Sequence, residues 1–278
     1  MDNPTYTNDE AFAEFISNLV TFHSAFLKGP LPRKVKTIAH KRVDGKYKQT
    51  VEEIDKLTFE APNPMDIYPS PDQVGIDDGY FFERMYLDRK YLTKCKGVEG
   101  YDDQAIDRVL DIYGDKGLQV RLTIDEQRNR AENKDFKEGL ESSDKIEVYE
   151  FWGSVQGKHL KEIGIDTHDG KPIEDLDELE ITAWITADRK EILRCVLNPD
   201  ALGRRPYQMT SYMKVPNAFW GECVPSLMKE SQRFCNKLYR SIENNIAIAS
   251  GPQVIVNDVG RIAEGEELTA IEPWKIWQ

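Results

Sequence analysis

The sequence has little of what staples or anchors a fold covalently. It holds four cysteines in 278 residues, Cys95, Cys195, Cys223 and Cys235, and no CxxC pair. Neither a disulfide framework nor a paired-cysteine zinc site fits that scatter. Cys223 and Cys235 fall on one predicted helix, about 18 Å apart at 1.5 Å rise per residue, too far to bridge. No signal peptide opens the chain, so reduced thiols in a cytosolic setting are expected. No apolar run approaches about 20 residues, the length a membrane-spanning helix needs. Basic charge is scarce too. Lys and Arg number 37 against 49 Asp and Glu, a formal net charge of -12. Tight, static nucleic-acid binders are normally basic, so that class is disfavoured. An acidic surface past which DNA moves without sticking remains compatible.

Catalytic signatures are also missing. There is no GxxxxGK[ST], hence no phosphate-cradling loop and no sign of an ATPase. HExxH and GxSxG are absent as well. The nearest approach to chemistry is "HLKEIGIDTHDG", with His159, Asp166, His168 and Asp169. A metal-dependent hydrolase uses such groups. Asp169-Gly170 is equally a plain turn signal, and exposed loop histidines are common. "EDLDELE", Glu174 to Glu180, lacks EF-hand spacing and reads as a solvated acidic loop. No cofactor and no resident metal are expected.

What the sequence does have is 40% apolar and 10% aromatic residues, enough for a packed core in one large domain or two smaller ones. Helical spacing of Phe12, Phe15, Ile16, Leu19, Val20 and Phe22 predicts a helix over 8–27, capped by Asn8 and stopped by Pro30 and Pro32. "HKRVDGKYKQTVEEID" predicts a β-hairpin turning at Asp44-Gly45. Four prolines in "APNPMDIYPSPD" predict a stiff extended segment. "YFFERMYLDRKYLTKCKG" and "DDQAIDRVLDIYG" predict short helices ending at Gly97 and Gly114, the second capped by Asp102 or Asp103. Residues 118–141 are strongly charged and predicted helical.

Three strand signals follow. They are "KIEVYEFWGSV", the hairpin "ELEITAWITADRKEILRCVLNP" turning at Asp188-Arg189, and "RPYQMTSYMKVP". Together they predict one half-buried antiparallel sheet, polar on one face, and an α+β fold. From Ala131 to Glu180 the chain carries 15 acidic and 6 basic residues, so most of its excess charge sits here. Trp152, Trp184 and Trp220 are expected in the core or an interface rather than as base-stacking platforms. Trp274 and Trp277, near the end of the chain, are expected to be exposed and to promote association.

"GECVPSLMKESQRFCNKLYRSIENN" is a different kind of segment. At about 100° per residue, Lys229, Arg233, Lys237 and Arg240 fall within about 80° of one another. Val224, Leu227, Met228, Phe234, Cys235, Leu238, Ile242, Ile246 and Ala249 gather on the opposite side. The helix is about 37 Å long, with one apolar face and one basic stripe, and Gly251-Pro252 ends it. An ordinary surface helix has the same pattern. "QVIVN" and "GEELTAIEPWKIW" predict two further strands.

Taken in order, these segments resemble tailed-bacteriophage portal proteins, the head-to-tail connectors. "NPMDIYPSPDQVGIDDGYFFERMYLDRKYL" resembles the wing segment of that family, where a "d-Y-P-x-P" stretch precedes "i-D-D-x-y-f-x-E-R-x-y-l". The later frame is carried by Asn198, Pro199, Arg205, Pro206, Tyr207, Pro216, Phe219, Trp220, Gly221, Pro225, Gln232, Asn236, Arg240, Asn244 and Asn245. The resemblance runs over residues 60 to 257 and is loose in the first sixty.

It implies a wing-like α+β domain over 1–220, a stem-type helix over 221–250 that lines or buttresses a DNA channel, and the start of a clip over 251–278. It implies a closed ring, usually of about twelve copies, at the capsid portal vertex of the virion, assembled in the host cytoplasm. The implied partners are a terminase or packaging motor, a tail adaptor, capsid or scaffolding protein, and double-stranded DNA passing without sequence-specific contact. The returning stem helix, channel loop and crown of the family have no counterpart before Gln278, so a partial subunit is expected. Lys229, Arg233, Lys237 and Arg240 then face DNA or an acidic neighbouring subunit. The alternatives are a metal-dependent hydrolase using the His168 neighbourhood, or another phage head-tail module.

Overall fold

The computed structural model describes residues 8–43, 46–118, 145–168, 170–200, 202–250, 254–255 and 276–277, by backbone alone at 34–43, 46–53, 254–255 and 276–277. It opens with α1 (Asn8–Thr21), β1 (Ala25–Val43) and β2 (Lys46–Glu60). A 3-10 turn (Pro64–Asp66) leads to β3 (Ile67–Pro69), β4 (Phe81–Leu87), α2 (Arg89–Cys95) and α3 (Asp103–Tyr113). Then come β5 (Ile146–Gln156), α4 (Gly157–Ile163), β6 (Thr167–His168), β7 (Lys171–Pro172), β8 (Glu178–Thr186), β9 (Ile192–Leu197) and β10 (Tyr207–Thr210). The last elements are α5 (Val224–Ser250), β11 (Val254–Ile255) and β12 (Ile276–Trp277). Helices mixed with antiparallel sheets make this an α+β protein. The chain divides into two compact units, Met1–Cys223 and Val224–Gln278.

In the first unit a five-stranded antiparallel sheet runs β3-β4-β5-β8-β9, and a three-stranded one runs β10-β1-β2. The larger sheet is covered rather than half bare. Met85, Leu87, Ile146, Val148, Trp184 and Leu193 pack with Leu92, Cys95, Ala105, Ile106 and Val109 of α2 and α3. A second cluster joins Ile67, Phe81 and Trp152 of that sheet to Phe26, Tyr207 and Phe219. A third gathers Leu160 of α4, Ile173, Ile181 and Ala183.

Several expectations hold. Asp102 caps α3, its Oδ1 accepting the N–H groups of Gln104 and Ala105 at 2.9 and 3.2 Å. The β8–β9 turn passes through Arg189 in a left-handed conformation, φ 59°. β1 and β2 pair antiparallel, as the expected hairpin does; the turn expected at Asp44-Gly45 lies outside the described residues. The Pro-rich segment is extended only in part: it supplies the short strand β3, but Pro64–Asp66 coils into a 3-10 turn. Trp152 and Trp184 are buried, and Trp220 packs against the second cluster.

Four expectations are corrected. The first helix ends at Thr21, and Ala25, Phe26 and Leu27 begin β1. Asn8 does not cap it in the usual way. Its side chain accepts the Phe59 N–H at 3.2 Å and donates to the Leu57 carbonyl at 3.2 Å, tying α1 to β2. Phe81–Leu87 is a strand, not a helix, because it lies between β3 and β5 and is buried along nearly its whole length. Tyr207–Thr210 joins β1 rather than the larger sheet. Residues 118–141 and the environments of Trp274 and Trp277 lie outside what is described.

Candidate interface helix and its anchor

The resemblance positions separate into two structural jobs. The first is wiring within the first unit. Arg205 is 5% exposed and reaches the 76–79 loop. Its Nη1 donates to the Ile76 carbonyl at 2.8 Å, and its Nη2 to the Gly79 carbonyl at 2.6 Å and to Glu180 Oε1 at 2.9 Å. Its backbone N–H donates to Asp77 Oδ1 at 3.2 Å. Arg84 donates through Nε and Nη2 to Asp66 Oδ1 at 2.9 and 2.7 Å. Segments far apart in sequence are thus held together by charge-assisted bonds, which are about twice as strong as neutral ones.

The centre of this wiring is a buried cluster between the two sheets. Lys28 of β1 donates to Glu83 of β4 at 2.7 Å and also to Glu150 of β5. The Tyr207 hydroxyl of β10 donates to Glu83 and, at 3.0 Å, to Glu150. Burial opposes ionisation of Glu83 and, with Glu150 beside it, pushes its carboxyl up to about 7 despite Lys28. Burial also opposes ionisation of Glu150, but Lys28 outweighs it and holds that carboxyl below its ordinary value. Lys28 is desolvated, yet Glu150 and Glu83 raise its pKa. Burial and the two carboxylates push the Tyr207 phenol well up. None of these buried charges was legible as such in the sequence, where Glu83 and Arg84 look like solvent-facing residues.

The second job is to fix the segment that precedes α5, within the first unit. Val215, Pro216, Asn217 and Ala218 form a turn closed by the Ala218 N–H and Val215 carbonyl at 3.4 Å, with Asn217 left-handed at φ 57°. Phe219 is buried against Phe26 and Trp220, with ring centroids 5.9 and 5.1 Å away. The Gly221 N–H donates to Ser24 Oγ at 3.3 Å, and its carbonyl lies 3.0 Å from His23 Nδ1. A Cβ on Gly221 would stand 2.6 Å from Ser211 Oγ and 2.7 Å from the Met213 carbonyl, so only glycine fits. Cys223 is buried and precedes the helix, which corrects its placement on it.

Helix α5 begins with Val224, and Pro225 sits in its first turn, where its missing N–H is not needed. Over 27 residues it buries none. Phe234 and Ile246 are 62% exposed, and Leu227, Met228, Leu238 and Ile242 are exposed as well. Lys229, Arg233, Lys237 and Arg240 are also exposed. Arg233 is drawn to Glu230 at 3.0 Å, while Lys229, Lys237 and Arg240 make no ion pair among the described residues. Gln232 donates to Asn236 at 3.1 Å, one turn on, and Asn245 is exposed.

A family model, Phage SU10 portal protein, matches residues 3–276. The chain belongs to the phage SU10 portal protein family. No curated protein matches it significantly. Membership makes it a bacteriophage head-tail connector, a virion structural protein of DNA packaging, and a portal protein is structural rather than an enzyme. The hydrolase alternative finds little geometry. His159 lies on α4, 3.3 Å from Glu162, and His168 is on the small β6–β7 hairpin. Both are exposed, as is Asp166, and Asp169 is outside the described set. Among the described residues no three His, Cys, Asp or Glu side chains are grouped to hold a metal. No described helix is long and apolar enough to cross a membrane.

Proposed function

We propose that the chain is a ring-forming subunit of a portal at the capsid vertex, with α5 as its stem-type helix. The observation that carries this is the exposed apolar face of α5. A lone helix is marginal in water and draws its stability from packing an amphipathic face. Six large apolar side chains left bare over 27 residues call for neighbouring copies of the same chain. Residues 1–220 are then the wing, 221–250 the stem helix and 251–278 the start of the clip. The opposite stripe, Lys229, Lys237 and Arg240, faces either DNA in the channel or an acidic neighbour. Sparse cations on an acidic body suit a channel, because each strong phosphate contact adds salt-dependent affinity and slows passage. The packaging motor, the tail adaptor and capsid or scaffolding protein are the partners of such a ring, which forms in the host cytoplasm.

Light scattering with negative-stain imaging tests the reading. Rings of many copies are expected. A particle that stays a single chain at every concentration overturns it.

A further inference from the structure

Helix α1 is more apolar than one seat requires. At about 100° per residue, Ala11, Phe15, Leu19, Phe12, Ile16 and Val20 sweep an arc of about 180°. A helix resting on a single surface needs an apolar stripe of about 100°. Of these six only Ala11 is buried, with Asn18 beside it. The far edge of the arc is bare. Phe12, Ile16 and Val20, at i, i+4 and i+8, are 41%, 59% and 43% exposed. They point about 150° away from the buried pair.

This stripe is held in place. The Phe12 ring packs on Phe59 of β2, centroids 5.4 Å apart. The Asn8 side chain bonds the Leu57 carbonyl and the Phe59 N–H. Leu57 shares a strand face with Phe59 and is 58% exposed. Helix and strand together present a fixed apolar surface, open to solvent among the described residues. Its charge is one-sided. Helix α1 carries Asp9, Glu10 and Glu14 and no base. Among the described side chains of β1 and β2 the cations are Lys28, inside the buried cluster, Arg33, held by Glu60, and Lys56. Helix α5 has the opposite bias, with Lys229, Arg233, Lys237 and Arg240 against Glu230 and Glu243.

We infer that Phe12, Ile16, Val20 and Leu57 form the seat for the apolar face of α5 from a second copy of this chain. A closed ring needs a head-to-tail contact between two different patches of one chain, because a patch that meets only itself about a two-fold axis stops at a dimer. The α1 surface and the α5 face are two such patches, one on each compact unit. Both are apolar, and their flanking charges are opposite in sign, which favours this pairing over two α5 helices with like stripes. The inference rests on the ring-forming reading above and names what α5 docks on.

Thiol cross-linking tests it. Cys235 is exposed on the apolar face of α5, whereas Cys95 and Cys223 are buried and Cys195 half-buried. A chain carrying Ile16→Cys and Cys235→Ser is co-expressed with the parent. The assembled particles are treated with a bismaleimide that reaches about 10 Å, the spacing of packed helix axes. A link from position 16 to Cys235, read by peptide mass, then joins two copies, since neither chain holds both thiols. That link is expected. Assembled particles without it overturn the seat and leave the ring reading standing. In the Ile16→Cys chain alone, a link confined to single chains means that α1 covers its own α5, and overturns the docking. Ile16→Asp should weaken association at least about tenfold, since a charge buried in an apolar contact is costly. Far-UV circular dichroism checks folding, and Ile16→Ser replaces it where folding fails. A folded variant that assembles like the parent also overturns the seat. A parent chain that never assembles removes both readings.

Discussion

Lys28 Nζ lies 2.7 Å from Glu83 Oε2, both side chains less than a tenth exposed, in a cluster that ties the two sheets of the first unit together. Removing the cation leaves Glu83 and Glu150 buried without a counter-charge. Breaking a buried pair in this way costs about 3–5 kcal/mol. Lys28→Met is therefore expected to lower unfolding stability by that amount in denaturant titrations. Adding Glu150→Gln should recover part of the loss.

The same cluster makes stability depend on pH. The folded Glu83 carboxyl titrates near 7 against an ordinary 4.5, so between those values the folded state holds a proton that the unfolded chain has released. Its contribution is fully present below 4.5 and is lost as pH rises through 7. Lys28, Glu150 and Tyr207 are the charged and titratable groups around it. Glu83→Gln mimics the protonated form and should flatten the fall of Tm from pH 5 to 7.5. A Tm profile with the same slope in both proteins would remove this role for Glu83.

Arg205 serves two loop carbonyls and Glu180 with one planar fork. A lysine cannot reproduce that fork. Arg205→Lys should cost about 2–4 kcal/mol, mostly through carbonyls left without a donor. Limited proteolysis near the 76–79 loop should speed up in parallel.

Gly221 has no room for a side chain between Ser211 and the Met213 carbonyl. Gly221→Ala should destabilise the first unit by about 1–3 kcal/mol through local displacement. Tryptophan emission is the fitting probe, since Trp220 is the preceding residue and packs on Phe26.

Much of this architecture is legible in the residues alone. Helix α5 declares itself through its spacing, α3 through Asp102, and the β8–β9 hairpin through its turn and alternation. Strand β4 does not, because a strand buried along most of its length loses the period-two signal, and its Glu83 and Arg84 look exposed until their partners are known. Strand β1 is hidden for another reason: Ala25, Phe26 and Leu27 continue the helical rhythm of α1. The motif residues Arg205, Tyr207 and Gly221 stand out in sequence, but Ile76 and Gly79 for Arg205, Glu83 for Tyr207 and Ser24 for Gly221 lie more than a hundred residues away. Their structural work appears only when the chain is folded.

The assembly role of α5 is tested most directly by the solution mass of the parent chain beside a Leu238→Asp/Ile242→Asp variant. Both positions lie on the apolar face and are exposed within the single chain, so the first unit should keep its Tm. The parent should give particles many times the 32.0 kDa of one chain, and the variant should fall toward 32.0 kDa. A variant that assembles as fully as the parent would contradict the proposed role of the helix.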